Sequence, residues 1–185
     1  MCALQIAGLG IYHAQDARDH AAAAQVLRFL AQSPDPFGRD PARGGHITGS
    51  AVVLSPDGTA LAMTHHAKLD RWLQLGGHCD GIHDARFTAW REAYEESGLS
   101  RIDPLGDAIF DIDVHEIPAR GAEPAHLHYD LRYLFRAGGG MLRASAESKA
   151  LAWVPLASLE AYSEAASVLR LRDRLPVYLR QMTAG

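Results

Sequence analysis

Glu92, Glu95 and Glu96 stand three and four residues apart in a stretch, 84–97, that contains neither proline nor glycine. On a helix such positions share a face, so three carboxylates would crowd one small volume and repel one another unless a cation joins them. A hard divalent ion such as Mg2+ or Mn2+ takes oxygen ligands, and Mg2+ keeps several waters and reaches to substrate phosphates. Glycines just ahead of the stretch, among them Gly77 and Gly81, let backbone approach an ion or a phosphate closely. Loop, helix and acidic face together predict metal-assisted phosphate chemistry.

The segment Gly77 to Leu99 resembles the Nudix box, the loop-helix signature of the Nudix hydrolases. That signature reads Gly, five residues, Glu, seven residues, Arg-Glu, an aliphatic residue, any residue, Glu-Glu, any residue, Gly, an aliphatic residue. Gly77, Arg91, Glu92, Glu95, Glu96, Gly98 and Leu99 match at the required spacing, Ala93 is a small substitute at the aliphatic position, and His83 stands where the first Glu belongs. The resemblance implies an α/β fold, a Nudix-type α/β/α sandwich with a mixed sheet over roughly 46–165, with added N- and C-terminal helices. It divides the chain into 1–45, an N-terminal helix and linker, and 46–185, a Nudix hydrolase domain with a C-terminal helical extension.

By the same resemblance the activity is that of a metal-dependent pyrophosphohydrolase. It would cleave a nucleoside diphosphate linked to another moiety, or a related small pyrophosphate, with Mg2+ or Mn2+. Glu92, Glu95 and Glu96 would be the metal ligands, with the Gly77 carbonyl a further one. A carboxylate must take the proton of the attacking water. Glu95 is one candidate, and Glu147, in the loop before the last strand, is the other. Arg91 would support the site from behind by pairing with a glutamate. A neutral imidazole at His83 accepts a hydrogen bond but brings no negative charge, so Asp84 or Asp80 would take over the missing role.

Two other readings compete. Isopentenyl-diphosphate isomerases share the fold and use a cysteine, but theirs precedes Gly-His, whereas Cys79 follows Gly77-His78. A non-catalytic nucleotide-sensing Nudix domain would have no need of three intact carboxylates.

Several elements must position these residues. An alanine-rich amphipathic helix is expected over 14–31, with Val26, Leu27 and Leu30 on one side, then a Pro/Gly-rich linker over 33–45. A hairpin follows, with strands 48–54 and 60–64 about the turn Ser55-Pro56-Asp57-Gly58. The acidic helix has Asp84 as its N-cap and Gly98 as its stop. Alternation predicts strands over 107–115 and 126–135, each with one polar face. A short strand over 151–154 precedes helical stretches near 157–162 and 165–175, the last interrupted or ended by Pro176.

Histidine is abundant, at 10 residues. His126, His128 and Asp130 share one strand face, and Asp111, Asp113 and His115 share another. Tetrahedral zinc would accept two such imidazoles and a carboxylate, while the same pattern also describes a cleft wall or an ordinary polar surface. Trp72 is expected to pack under the box loop or to stack on a base.

The chain has 185 residues with 18 Lys+Arg against 22 Asp+Glu, which gives no footprint for a nucleic acid polymer. Two cysteines and no long apolar run suit a cytoplasmic protein with no membrane partner. The partner expected is a small nucleotide or pyrophosphate substrate, and the terminal helices suit a homodimer.

Overall fold

The structure is a computed structural model and describes residues 3–183 apart from 7, 41–42 and 146–147. In chain order its elements are β1 (Ala3–Ile6), β2 (Gly10–His13), α1 (Ala17–Gln32), β3 (Gly45–Leu54), β4 (Ala60–His66), β5 (Arg71–His78), α2 (Ala85–Ser97), β6 (Arg101–Pro104), β7 (Asp111–Ile117), β8 (His126–Gly139), β9 (Ser148–Pro155) and α3 (Ala166–Thr183), with a 3-10 turn over Leu156–Ala161. The α/β class expected from the sequence is the one observed. The main-sheet strands hydrogen-bond in the order β6-β8-β3-β5-β4-β9, with β7 on β8. The chain forms two compact units, and β3, β5, α2 and β8 each contribute to both.

The first unit comprises Met1–Ser50, Gly76–Ala89 and Asp107–Tyr133. Helix α1 starts at Asp16, whose carboxylate accepts from the Asp19 N–H at 2.9 Å, satisfying one of the donors that a helix start leaves open. Its buried stripe is Ala22, Ala23, Val26 and Phe29, and the Phe29 ring stacks on Tyr129 with centres 4.2 Å apart. Leu27 and Leu30, expected on the apolar side, are only half-buried. Phe29 takes the central place instead, because an aromatic ring buries more area than either leucine.

Strands β7 and β8 pair antiparallel from Asp111↔Arg132 to Ile117↔His126. The first of them begins later than the expected residue 107, because the Ile109 N–H donates to Ile11 O at 3.0 Å, on β2. Both polar strand faces turn out to be largely buried. Arg132 donates from Nε to Asp130, from Nη1 to Asp111 and from Nη2 to Asp113 at 2.8, 3.0 and 3.2 Å. Asp130 also accepts from Thr48 and Ser50 of β3 at 3.0 and 2.7 Å, and Arg18 of α1 donates to Asp113 at 2.7 Å. Opposed charges and hydroxyls thus satisfy one another inside, which is what permits charged groups to lie in a core.

The second unit comprises Ala51–Leu75, Trp90–Gly106 and Leu134–Gly185. Its β4 lies between β5 and β9, with Met63↔Gln74 on one side and Met63↔Ala152 on the other. The expected hairpin joins β3 to β4 at Leu54↔Leu61, and its turn has Gly58 at φ +76° and the Gly58 N–H on Ser55 O. Val52, Val53, Leu54, Leu61, Met63, Leu75 and Val154 form its core. Of the two outcomes left open at Pro176, an end to the helix is not the one observed: α3 runs through the proline to Thr183. Val168, Leu171, Leu175 and Tyr178 are buried on both sides of the proline, so packing of that face outweighs the lost backbone bond. Strands β1, β2, β5 and β6 were not anticipated from sequence. Among the described residues no helix is long and apolar enough to cross a membrane.

Candidate functional site

The acidic helix is the expected one. Asp84 caps it, its carboxylate accepting from the Phe87 N–H at 2.9 Å while its carbonyl takes the Thr88 N–H. At the other end Gly98, at φ +65°, receives the chain in the left-handed region, and its N–H returns to Tyr94 O. Ala85, Thr88 and Ala89 face Gly49 of β3, where any Cβ would come within 2.3 Å of the Ala85 carbonyl. The first turn of α2 is thereby set close against the strand.

Within the second unit, Glu92, Glu95 and Glu96 occupy three different environments. Glu92 is 17% exposed, Glu95 is 62% exposed, and Glu96 is buried at 8%. Arg91 lies between the first two: its Nη2 is 2.5 Å from Glu92 and its Nε 3.8 Å from Glu95. Trp90 and Tyr94 pin β6: the indole N–H donates to Ile102 O at 3.0 Å, and the Tyr94 hydroxyl accepts from the Ile102 N–H at 2.8 Å. The donor set offered by the glutamates is all oxygen, which fits a hard divalent cation. Glu147 lies outside the described residues.

In the first unit, the box loop follows β5, with Gly77 next to its last residue and Asp80 and Gly81 at positive φ. His83 is exposed and its ring stacks on Phe37 with centres 4.9 Å apart. Phe37 O also accepts the Gly81 N–H at 2.9 Å. The linker therefore lies on the box loop, and His83 is part of that seam. Cys79 is fully buried, which suits packing and not nucleophilic attack. Trp72 stacks on His65 and meets Tyr162 edge-on, in the second unit.

The first unit also holds a cluster that the strand-face reading only half found. His46 of β3, His78 of β5 and His128 of β8 bring ring nitrogens within 4.8 Å of one another, the one such grouping of three His, Cys, Asp or Glu among the described residues. Asp130, the carboxylate considered beside His126 and His128, is committed to Thr48, Ser50 and Arg132 instead. Burial, with His78 and His126 adding to it, pushes His46 down to about 4. Burial likewise lowers His128 to about 2, with His46 and His78 nearby, and it lowers His78, beside Arg39. All three rings are therefore neutral near pH 7, each with a lone pair to offer. The sequence signal was present in the histidine of Gly76-Gly77-His78, at the end of β5, but nothing local ties it to His46 or His128.

No protein-family model matches the chain, and no curated protein matches it in sequence. Solved structures do match its fold. The Escherichia coli dihydroneopterin triphosphate pyrophosphohydrolase aligns at TM-score 0.56 and 13% identity, over 76% of this chain and 98% of its own. A Caenorhabditis elegans Ap4A hydrolase in a binary complex aligns at TM-score 0.53 and 16% identity, over 73% and 98%. A Nudix-family hydrolase from Clostridium perfringens aligns at TM-score 0.50 and 20% identity, over 72% and 97%. The chain has the Nudix hydrolase fold. The segment Gly77 to Leu99, which resembles the Nudix box, spans the loop before α2 and α2 itself.

Proposed function

We propose that this protein is a metal-dependent pyrophosphohydrolase of the Nudix type, acting on a nucleoside diphosphate linked to another moiety or on a related small pyrophosphate. The observation that carries this reading is the arrangement on α2: three box glutamates on a capped helix, with Arg91 set between Glu92 and Glu95. The fold supports it, since solved structures that share it include a pyrophosphohydrolase and an Ap4A hydrolase.

Glu92 and Glu96, the two less exposed carboxylates, would hold Mg2+ or Mn2+, with Glu95 and the Gly77 carbonyl as further oxygen donors. When bound, the cation neutralises phosphate charge and lowers the pKa of a water. Glu95 is exposed and reached by Arg91 only at 3.8 Å, so it is free to accept a proton from water at the surface of the site. Arg91 acts as a positioning residue, holding Glu92 in place by its short ion pair. Glu147 remains the alternative base. Asp84 caps the helix and His83 stacks on Phe37, so the supporting role of the family's first glutamate would fall to Asp84 or to Asp80 in the loop. A cytoplasmic location and a homodimer belong to this reading.

The test is a panel of nucleoside diphosphate conjugates, dinucleoside polyphosphates and nucleoside triphosphates, with products identified by mass. Turnover should vanish with chelator and return with Mg2+ or Mn2+. Glu96→Gln keeps size and removes charge, so kcat should fall at least about 100-fold, as an electrostatic contribution of roughly 3 kcal/mol implies. Undiminished hydrolysis in excess chelator, or a folded Glu96→Gln protein at near-normal rate, defeats the proposal.

A further inference from the structure

We propose that His46, His78 and His128 form a second metal site, for a borderline divalent transition ion of the zinc type. It shares no residue with the glutamates of α2. The three ligand nitrogens already lie within 4.8 Å of one another, whereas ligands about 2.0 Å from a tetrahedral zinc ion stand roughly 3.3 Å apart. Small side-chain rotations close that difference.

The strongest indication is His46 itself. Its side chain is 1% exposed, and among the described residues neither ring nitrogen has a hydrogen-bond partner. A buried imidazole with both nitrogens unmet carries a desolvation penalty that native cores rarely leave standing. An ion bound at one nitrogen would remove the larger part of it. The ring is also surrounded by other imidazoles: its centre lies 5.0 Å from His78, 5.1 Å from His126 and 4.6 Å from His128. Apolar packing alone gives no reason to gather four imidazoles around one point.

Backbone contacts hold the cluster in place. The Leu127 N–H donates to Gly44 O at 2.9 Å, and a Cβ at Gly45 would meet Leu127 O at 2.4 Å. Glycine at position 45 thus lets the start of β3 lie against β8, which sets His46 beside His126 and His128. The imidazoles around the triad are themselves held in place. His126 Nδ1 donates to Pro124 O at 3.0 Å, and His115, whose ring is 5.5 Å from His128, pairs through Nδ1 with Asp113 at 3.1 Å. The triad contains no carboxylate. Imidazoles suit zinc, cobalt, nickel and copper and suit Mg2+ poorly, so the two sites differ in the ion they select. Three protein ligands leave a fourth position for water or an exchangeable group.

The test uses the full-length protein stripped with chelator and titrated with Co2+ and Zn2+, without substrate. Wild type should bind one equivalent of Co2+ with the visible absorption of a four-coordinate site, and Zn2+ should displace it while millimolar Mg2+ does not. His46→Gln and His78→Gln should each weaken Co2+ binding at least tenfold, with thermal melts confirming that they fold. His78 is less buried than His46 and carries the test if the His46 variant is unstable. Glu92→Gln with Glu96→Gln should keep the cobalt spectrum. Failure of wild type to bind Co2+ or Zn2+ overturns the proposal. So does unchanged binding in folded histidine variants, or loss of the spectrum in the glutamate double variant with the histidines intact. Because hydrolysis is never measured, the outcome stands apart from that of the hydrolase reading.

Discussion

Arg132 is the cation at the centre of the first unit, and its removal makes a quantitative test of how that core is held. Arg132→Met keeps most of the apolar stem and volume but deletes three hydrogen bonds, to Asp111, Asp113 and Asp130. Arg132 is 2% exposed, and the three carboxylates are buried with it. Arg18 would be left to offset Asp113, while Asp130 would keep its two hydroxyl donors and lose its ion pair with Arg132. Breaking a buried ion cluster from one side costs about 3–5 kcal/mol, because the stranded charges cannot be rehydrated. In a chain of 185 residues each kcal/mol moves Tm by about 2–4 °C, so the expected fall is roughly 6–20 °C at pH 7. Scanning calorimetry or circular dichroism melts read it directly. Neutralising the stranded groups in the same chain, as Arg132→Met with Asp111→Asn and Asp130→Asn, should recover part of the loss. A single-variant fall below about 2 °C, or a triple variant no more stable than the single one, refutes the reasoning.

Acid should act through Asp113. Burial pushes its carboxyl up, but the bond to His115 and the charges of Arg132 and Arg18 outweigh that and hold it down to about 2, against 3.8 normally. A depressed folded pKa stabilises above the unfolded value and is lost as pH falls, so about 2 kcal/mol should disappear between about pH 4 and about pH 2. Asp113→Asn should flatten Tm over that window, and an unaltered slope would show the wrong group has been chosen. His83→Glu should lose only a ring stack, about 0.5–1.5 kcal/mol, with kcat/KM within a few-fold of wild type; a much larger rise in KM would put His83 on the substrate. Pro176 is exposed in the interior of α3, so Pro176→Ala should stabilise by up to about 3 kcal/mol, and a lower Tm would contradict the view that packing alone carries the helix through it.

What could be read beforehand was local. The α2 boundaries follow from Asp84 and Gly98, whose chemistry is the same in any context. The alternation over β7 and β8 correctly sorted two faces, but alternation cannot say whether a polar face meets water or another polar face. Asp111 and Arg132 are buried because they oppose each other across the ladder, a fact of pairing register that neither strand contains. Strand β5 escaped notice because Arg71–His78 carries two glycines and no clean period of two, and its place is set by β4 alongside. His46 and His78 were passed over for the same reason: each is unremarkable in its own segment, and only the backbone contact at Gly45 and Leu127 gives them His128 as a neighbour.

A signature confined to 23 consecutive residues looks like a cassette that could be lifted from one chain into another. In this protein it is not portable. The loop end of the box is tied to Phe37 twice, by the Gly81 N–H and by the ring of His83, and Phe37 lies in a linker fastened in turn by the Ile47 N–H on Pro36 O. A box carrying glutamate at position 83 would set a charged carboxylate against the ring of Phe37 and loosen the linker's seat on the loop. Positions 37 and 83 therefore form one unit of inheritance: a change at either is expected to be tolerated best when the other changes with it.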